Sequence, residues 1–263
     1  MTSYKPVTAA LRVLDVLAAL NRPGTKATVA GIHGATGIDK ATVVRMLETL
    51  IHAGYVLRDP EQPVYRPTGK TLALATGYDR HKVVGAIVSD DLAQFRQRIG
   101  WPSDVALFDH DAMLVVHSSR PPEPLHFIRA SGFRAPMLVT SLGLAYLAHC
   151  DARERAAVLA RLAGDPASEN DLARDPARLE SRLDQIRAQG FATMDPSYSR
   201  AHYEGRFFSL GVPIMADRQV FGAINAMYLL SALSIDEAQD RLLGPLQEVA
   251  GQMAARLAQR SGC

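Results

Sequence analysis

Lys40, Thr42 and Arg45 sit at the start of an apolar-periodic stretch, just after Asp39. Their chemistry suits nucleic acid. Arg45 is spaced to offer its guanidinium fork to a guanine edge in a major groove, a contact worth roughly 1–3 kcal/mol of base discrimination. The same side chain could instead pair with Glu48 at i,i+3 on a solvated helix face. Lys40 and Thr42, near the helix start, would hold phosphates and fix register without reading sequence. Arg58 and Arg66 flank a proline-rich loop; phosphate or minor-groove contact is one role for them, simple solubility the other.

The surrounding residues say what would position this set. Residues 29–36 predict a short helix, and Gly37 provides the positive φ of a tight turn. Asp39 is a helix cap. Residues 40–53 form a second helix with Val43, Val44, Leu47, Leu50 and Ile51 on one face and Ala41, Arg45, Glu48 and His52 on the other. Gly54 ends it as a C′ glycine. Residues 55–58 and 64–66 read as two short strands around Asp59-Pro60-Glu61-Gln62-Pro63. Together these give a winged helix-turn-helix that reads DNA; an ordinary helical hairpin with a loop is the plainer alternative. A preceding helix over residues 9–20, capped by Thr8, would pack behind it through Leu11, Leu14, Leu17 and Ala18.

Length and charge fit a two-part chain. The sequence has 263 residues, 48% of them hydrophobic and 21% charged, as in globular proteins with a sizeable core. Residues 1–80 hold ten Lys or Arg against six Asp or Glu, whereas residues 81–263 hold nineteen against twenty-one. A basic head on a mildly acidic body suits phosphate binding. No apolar run approaches the roughly 18–20 residues that span a bilayer, and the N-terminus lacks a signal-peptide core, so a cytoplasmic protein without membrane contact is expected. The cysteines, Cys150 and Cys263, suggest no disulfide framework. Neither CxxC nor HExxH occurs, so no metal or cofactor is expected.

After the wing, residues 68–78 predict a short helix and residues 83–99 a longer one bearing Val84, Ile87, Val88, Leu92 and Phe95 on one face. From Trp101 the period shortens. Residues 105–109 and 112–117 form a hairpin around His110-Asp111, and residues 125–130 are a further strand candidate. A helix over residues 140–150 follows, then two Arg-rich helices starting at Asp151 and Asp175, separated by a polar, mobile segment over residues 164–174. Residues 191–194, 207–215 and 220–228 read as strands, and Ser234 caps a last helix. The body is an α+β domain whose antiparallel sheet is flanked by helices.

Three segments, IDKATVVRMLETLIHAGYV, PMLVTSLGLAYLAHC and FFSLGVPIMADRQVFGAINAMYL, occur in the order that makes the chain resemble IclR-type bacterial transcriptional regulators over nearly its whole length. Within that family WPSDVALFDHDAMLVV and SALSIDEA look most like activators of 3-phenylpropionate and 3-hydroxyphenylpropionate catabolism. The resemblance implies a winged helix-turn-helix domain over residues 1–67, a linker helix over 68–80, and a GAF-like effector-binding and oligomerisation domain over 81–263. It also implies a homodimer or homotetramer on a near-palindromic operator. Effector contacts carried over by position are Val139, Thr140, Ser141 and Leu142 on one wall, Ser209, Asn225 and Met227 on the sheet, and Phe127 and Ala130 at an edge. Thr140 and Ser141 could offer hydroxyls and N–H groups to a carboxylate. Arg129 or Arg134 could supply a guanidinium, or lie at the surface. Asn225, inside an apolar strand, needs a partner, either a ligand or a structural hydrogen bond. The chain departs from the family at Leu144, where relatives carry a small polar residue or Lys, and at Asn225 and Met227, where some carry serines.

The expected function is therefore a DNA-binding regulator of a catabolic operon that responds to a small aromatic acid. An enzyme acting on such an acid in the same pocket is the alternative. No nucleophile, base and orienting group fall together to support it, and the adjacent His149-Cys150 point about 100° apart on a helix.

Overall fold

The computed structural model describes residues 5–22, 27–75, 80–120 and 132–261. It divides into two compact units, Met1–Asp79 and Arg80–Cys263.

The first unit is three helices and a two-stranded wing: α1 (Thr8–Leu20), α2 (Val29–Thr36), α3 (Lys40–His52), β1 (Val56–Arg58) and β2 (Tyr65–Pro67). Local chemistry sets each boundary. Thr28 caps α2 by accepting from the Gly31 N–H, and Gly37 ends it at φ +70°. Asp39 caps α3 through the Thr42 N–H, and Gly54 leaves α3 at φ +77°. The turn between α2 and α3 is tied down: the His33 ring meets the Ile38 carbonyl at 2.7 Å and the Thr36 hydroxyl accepts from the Ile38 N–H at 3.3 Å.

Packing corrects the predicted faces here. Val43, Met46, Leu47 and Leu50 are the buried residues of α3, while Val44 is 39% exposed. Met46 faces the core where Val44 was expected, because the helix meets α1 and α2 on a face rotated toward residue 46. In α1, Val16, Leu17, Ala19 and Leu20 are buried, but Leu11 and Leu14 are exposed. Only the C-terminal half of α1 meets the other helices. Thr8 is the first helical residue, and Val7, which makes no side-chain cap, precedes it. Residues Gly69–Ala75, expected within a linker helix, form a 3-10 helix.

The second unit is an antiparallel six-stranded sheet in the order β5-β4-β3-β8-β7-β6. Its strands are β3 (Ser103–Asp109), β4 (Ala112–Ser118), β5 (Arg134–Pro136), β6 (Ala192–Thr193), β7 (Phe207–Ala216) and β8 (Gln219–Leu229). Alternation assigns each side chain to a face. Leu210, Val212, Ile224 and Tyr228 face α4 (Arg80–Ile99) and α9 (Ile235–Ser261), where Leu92, Phe95, Leu246 and Met253 complete one core. Ala106, Met113, Val115 and Ala223 face α5 (Ser141–His149), α6 (Ala152–Ala163) and α7 (Pro176–Gln189) in a second core.

A short helix, α8 (Pro196–Tyr203), lies over the remaining part of that second face and was not expected from the sequence. Strand β5 was not expected either; the strand candidate at residues 125–130 lies outside the described residues. The segment over 164–174, expected to be mobile, contains a 3-10 helix over Ser168–Arg174 with Asn170 and Ala173 buried. The Asn170 amide donates to Asp165 at 3.0 Å and the Arg174 guanidinium to the Asp165 carbonyl at 2.7 Å, which anchors the segment despite its polar composition.

Candidate nucleic-acid interface and ligand-binding face

In the first unit, α3 presents Lys40, Ala41, Val44, Arg45 and Glu48 to solvent on one side. Among the described residues no ion pair joins Arg45 to Glu48. The backbone N–H and hydroxyl of Thr42 hold the Asp39 carboxyl below its usual range. Thr42 is half-buried and engaged with its own cap, so it is less available than Lys40. Val44, beside Arg45, adds an apolar side chain to this surface that periodicity had assigned to the core.

The wing separates its two arginines. Arg58 pairs with the buried Tyr65 and Arg66 with the exposed Leu57, so the arginines leave opposite faces of the hairpin. Asp59 holds Arg66 at 3.1 Å and caps the wing turn by accepting from the N–H groups of Glu61 and Gln62. A further cation, missed by sequence reasoning, is Lys70: its ammonium donates to the Ala53 carbonyl at 2.8 Å and lies over the Tyr55 ring at the C-terminal end of α3. A positive charge there meets the negative end of the helix.

In the second unit, α5 starts directly on the sheet. A Cβ at Gly211 of β7 would lie 2.6 Å from the Ser141 carbonyl oxygen, and one at Gly143 of α5 would lie 2.3 Å from the Met137 carbonyl oxygen. Glycine at both positions lets the helix start approach so closely. Thr140 caps α5: its hydroxyl accepts from the Gly143 N–H at 3.1 Å and donates to the Pro136 carbonyl at 2.7 Å. Thr140→Val keeps the shape and removes the cap. It is expected to cost about 1 kcal/mol in denaturant unfolding of the full chain; no loss would mean that the hydroxyl serves another purpose.

Behind the cap lies a row of buried polar groups on the same sheet face. Ser141 and Ser209, both fully buried, share a hydrogen bond at 2.7 Å. Asn225 accepts from the Asp104 N–H at 2.9 Å through its side-chain oxygen. Its amide therefore does structural work between β3 and β8. Asp104 is fully buried; it accepts from the Ser118 hydroxyl at 2.7 Å and from the Arg120 guanidinium at 2.9 Å. Strand register places Ser118, Asp104, Asn225 and Gly211 side by side across β4, β3, β8 and β7.

This row adjoins an aromatic cluster of Met194, Tyr198, Tyr203 and Met227, with Val139 and Phe207 against it. Four of the expected contacts, Val139, Ser209, Asn225 and Met227, thus meet around one place. Thr140 and Ser141 reach its border, whereas Leu142 points into the core under α5. Phe127, Arg129 and Ala130 lie outside the described residues. Arg134 does not reach this face. It pairs with Asp109 and Asp111 at the β3–β4 turn, because the edge strand β5 holds it there. Val139 and Met194 also border a neighbouring cleft of about 680 Å³ between α7 and α8.

Sequence reasoning missed Asp104, Ser118, Arg120, Tyr198 and Tyr203. One signal was readable: a carboxylate directly before the apolar run Val105–Phe108 of a strand needs a cationic or hydrogen-bonding partner. Which partner it takes is decided by the hairpin. Catalysis by Cys150 finds no support in the geometry, since burial raises its thiol to about 11 and it donates to the Leu147 carbonyl. His149 bonds the Ala145 carbonyl instead of the thiol.

Two family profiles match the chain: the IclR helix-turn-helix domain over residues 9–60 and the C-terminal domain of the bacterial transcriptional regulator IclR over residues 80–255. The Pca regulon regulatory protein of Pseudomonas putida is 28% identical over 239 residues, which cover 90% of this chain and 79% of that protein. An IclR family transcriptional regulator from Brucella abortus superposes with a TM-score of 0.63 at 20% identity, covering 95% of this chain and 92% of that one. An IclR homolog from Microbacterium hydrocarbonoxydans, complexed with 4-hydroxybenzoate, superposes with a TM-score of 0.63 at 20% identity, covering 95% of this chain and 99% of that one. The two structural matches establish the same fold: a helix-turn-helix unit followed by an α+β domain with an antiparallel sheet.

Proposed function

The chain belongs to the IclR family of bacterial transcriptional regulators, DNA-binding proteins and not enzymes, and on that premise we propose that it controls an operon of aromatic-compound catabolism in response to a small aromatic carboxylate. The observation that carries this reading is the meeting of a buried polar row with two tyrosines and two methionines on one sheet face. An aromatic ring suits the tyrosine and methionine side, and a carboxylate suits the polar side. The name of the Pseudomonas relative and the 4-hydroxybenzoate in the Microbacterium structure agree with that chemistry. Phenylpropionates, hydroxybenzoates and protocatechuate are the first compounds to try. Residues 1–67 would read DNA, 68–80 link, and 81–263 hold the effector and assemble a homodimer or homotetramer. No helix among the described residues is long and apolar enough to cross a membrane.

The test is a thermal-shift screen of the full chain against these acids. A ligand at about 100 times its Kd stabilises the fold by about 2.7 kcal/mol. A selective shift supports the reading; no shift with any of them removes the aromatic acid from it and leaves the DNA-binding regulator standing.

On the DNA side, Arg45 would read a base and Val44 a thymine methyl, with Lys40 on phosphate. Two such helices in a dimer call for a near-palindromic operator with half-sites about one DNA turn apart. In a selection from random duplexes, Arg45→Ala is expected to relax one position per half-site by roughly 1–3 kcal/mol. Lys40→Ala would weaken all sequences alike and lower the salt slope by about one. A uniform loss with Arg45→Ala would reassign it to phosphate.

A further inference from the structure

Resting on the aromatic-carboxylate reading of this face, we infer that Arg120 is the anchor for the effector's carboxylate and that Asp104 is the counter-ion it exchanges for it. Arg120 sits where the two chemistries meet. Its Nη2 bonds Asp104 at 2.9 Å and lies against the Met227 sulfur, a member of the aromatic cluster. A ring among Tyr198, Tyr203 and Met227 would direct its carboxylate toward this guanidinium.

The guanidinium is pre-positioned. Its side chain is only 13% exposed, and the chain that carries it is tied to the sheet. The Ser119 hydroxyl accepts from the Ser103 N–H at 2.9 Å, and the Ser119 carbonyl accepts from Arg96 at 3.1 Å. A guanidinium has five N–H donors in a planar fork that matches a carboxylate. Stability alone is a poor reason for the pair, because a buried ion pair seldom outdoes apolar residues of the same volume. Asp104 neutralises the cation at rest, and the Ser118 hydroxyl, which donates to that carboxylate at 2.7 Å, still holds it when the effector takes its place. The exchange makes charge, more than ring shape, the first filter on ligands.

The experiment is isothermal titration of the full chain with 4-hydroxybenzoate, protocatechuate, 3-phenylpropionate and 3-(3-hydroxyphenyl)propionate, each beside its amide. The wild type should bind at least one acid roughly tenfold or more tighter than the matching amide. Arg120→Lys keeps a charge for Asp104 but loses the fork, so acid affinity should fall roughly tenfold while amide affinity holds. Asp104→Asn removes the competitor and should tighten acid binding several-fold; a purely structural pair predicts weakening or no change. The double variant D104N/R120Q, checked for folding by circular dichroism, should bind acid and amide alike. Survival of the acid preference in the double variant, or in Arg120→Lys if the double variant does not fold, overturns the anchor while leaving the effector class intact. Binding of none of the four acids by the wild type overturns the aromatic-carboxylate reading and the anchor with it.

Discussion

Leu47→Ala is expected to unfold the DNA-reading unit while leaving the second unit folded. Leu47 is fully buried at the centre of the first unit's core, among Val16, Leu17, Ile32, Val43, Leu50 and Val56. Truncating a buried leucine costs about 2–5 kcal/mol, from lost burial and from the cavity left behind. A core in a unit of under about 80 residues seldom supplies more than about 3–5 kcal/mol, so the loss is comparable to the whole stability of the head. The second unit has its own two cores, and distant sites add independently. Hydrogen exchange on the full chain should show residues 8–67 losing protection, with DNA binding abolished and protection across β3, β7 and β8 unchanged. A single transition that shifts as a whole would show instead that the two units fold as one. Val44→Ala is the control. Its side chain is 39% exposed, so stability should change by less than about 0.5 kcal/mol, whatever it does to DNA preference.

Gly143→Ala is expected to destabilise the second unit by about 3 kcal/mol, at the upper end of ordinary overpacking. Helix propensity alone gives the opposite sign, since alanine is favoured over glycine by about 1 kcal/mol inside a helix. The sign therefore tests the close approach directly. The added methyl would lie 2.3 Å from the Met137 carbonyl oxygen and 2.4 Å from the Met137 Cα, both backbone atoms. To relieve that contact α5 must leave the turn before it, which carries Ser141 away from Ser209. Gly211→Ala strikes the same junction from the strand, where its Cβ would lie 2.6 Å from the Ser141 carbonyl oxygen. Denaturant unfolding of the full chain reads both effects, with the loss assigned to the transition of the sheet. A stabilised Gly143→Ala protein would mean that helix and turn do not approach so closely in solution.

The part of this protein that the sequence alone determined is the part written within one or two turns of chain. Asp39, Asp151 and Asp175 cap the helices they precede, and Ser234 exchanges capping bonds with Glu237, because a cap and the N–H it satisfies are at most three residues apart. Gly37 and Gly54 end helices because a positive φ is a property of the residue itself. Strands β7 and β8 were legible because two nearly continuous apolar runs flank the turn at Ala216-Asp217-Arg218-Gln219, and the ordered segments of the chain already pointed to the family.

What only the tertiary structure decided are relations between distant residues and small rotations of whole elements. Val44 and Met46 are both apolar, and only the docking of α1 and α2 chooses which is buried. Arg58 and Arg66 flank the same loop in the sequence, and only strand pairing puts them on opposite faces. Strand β5 exists through its ladder to β4; α8, by contrast, has a local start signal in Asp195-Pro196 that sequence reading passed over. The bonds between Ser141 and Ser209 and between Asp104 and Arg120 link residues on different elements. A buried carboxylate in the sequence demands a partner, but it is the β3–β4 hairpin and its register that bring Arg120 to Asp104.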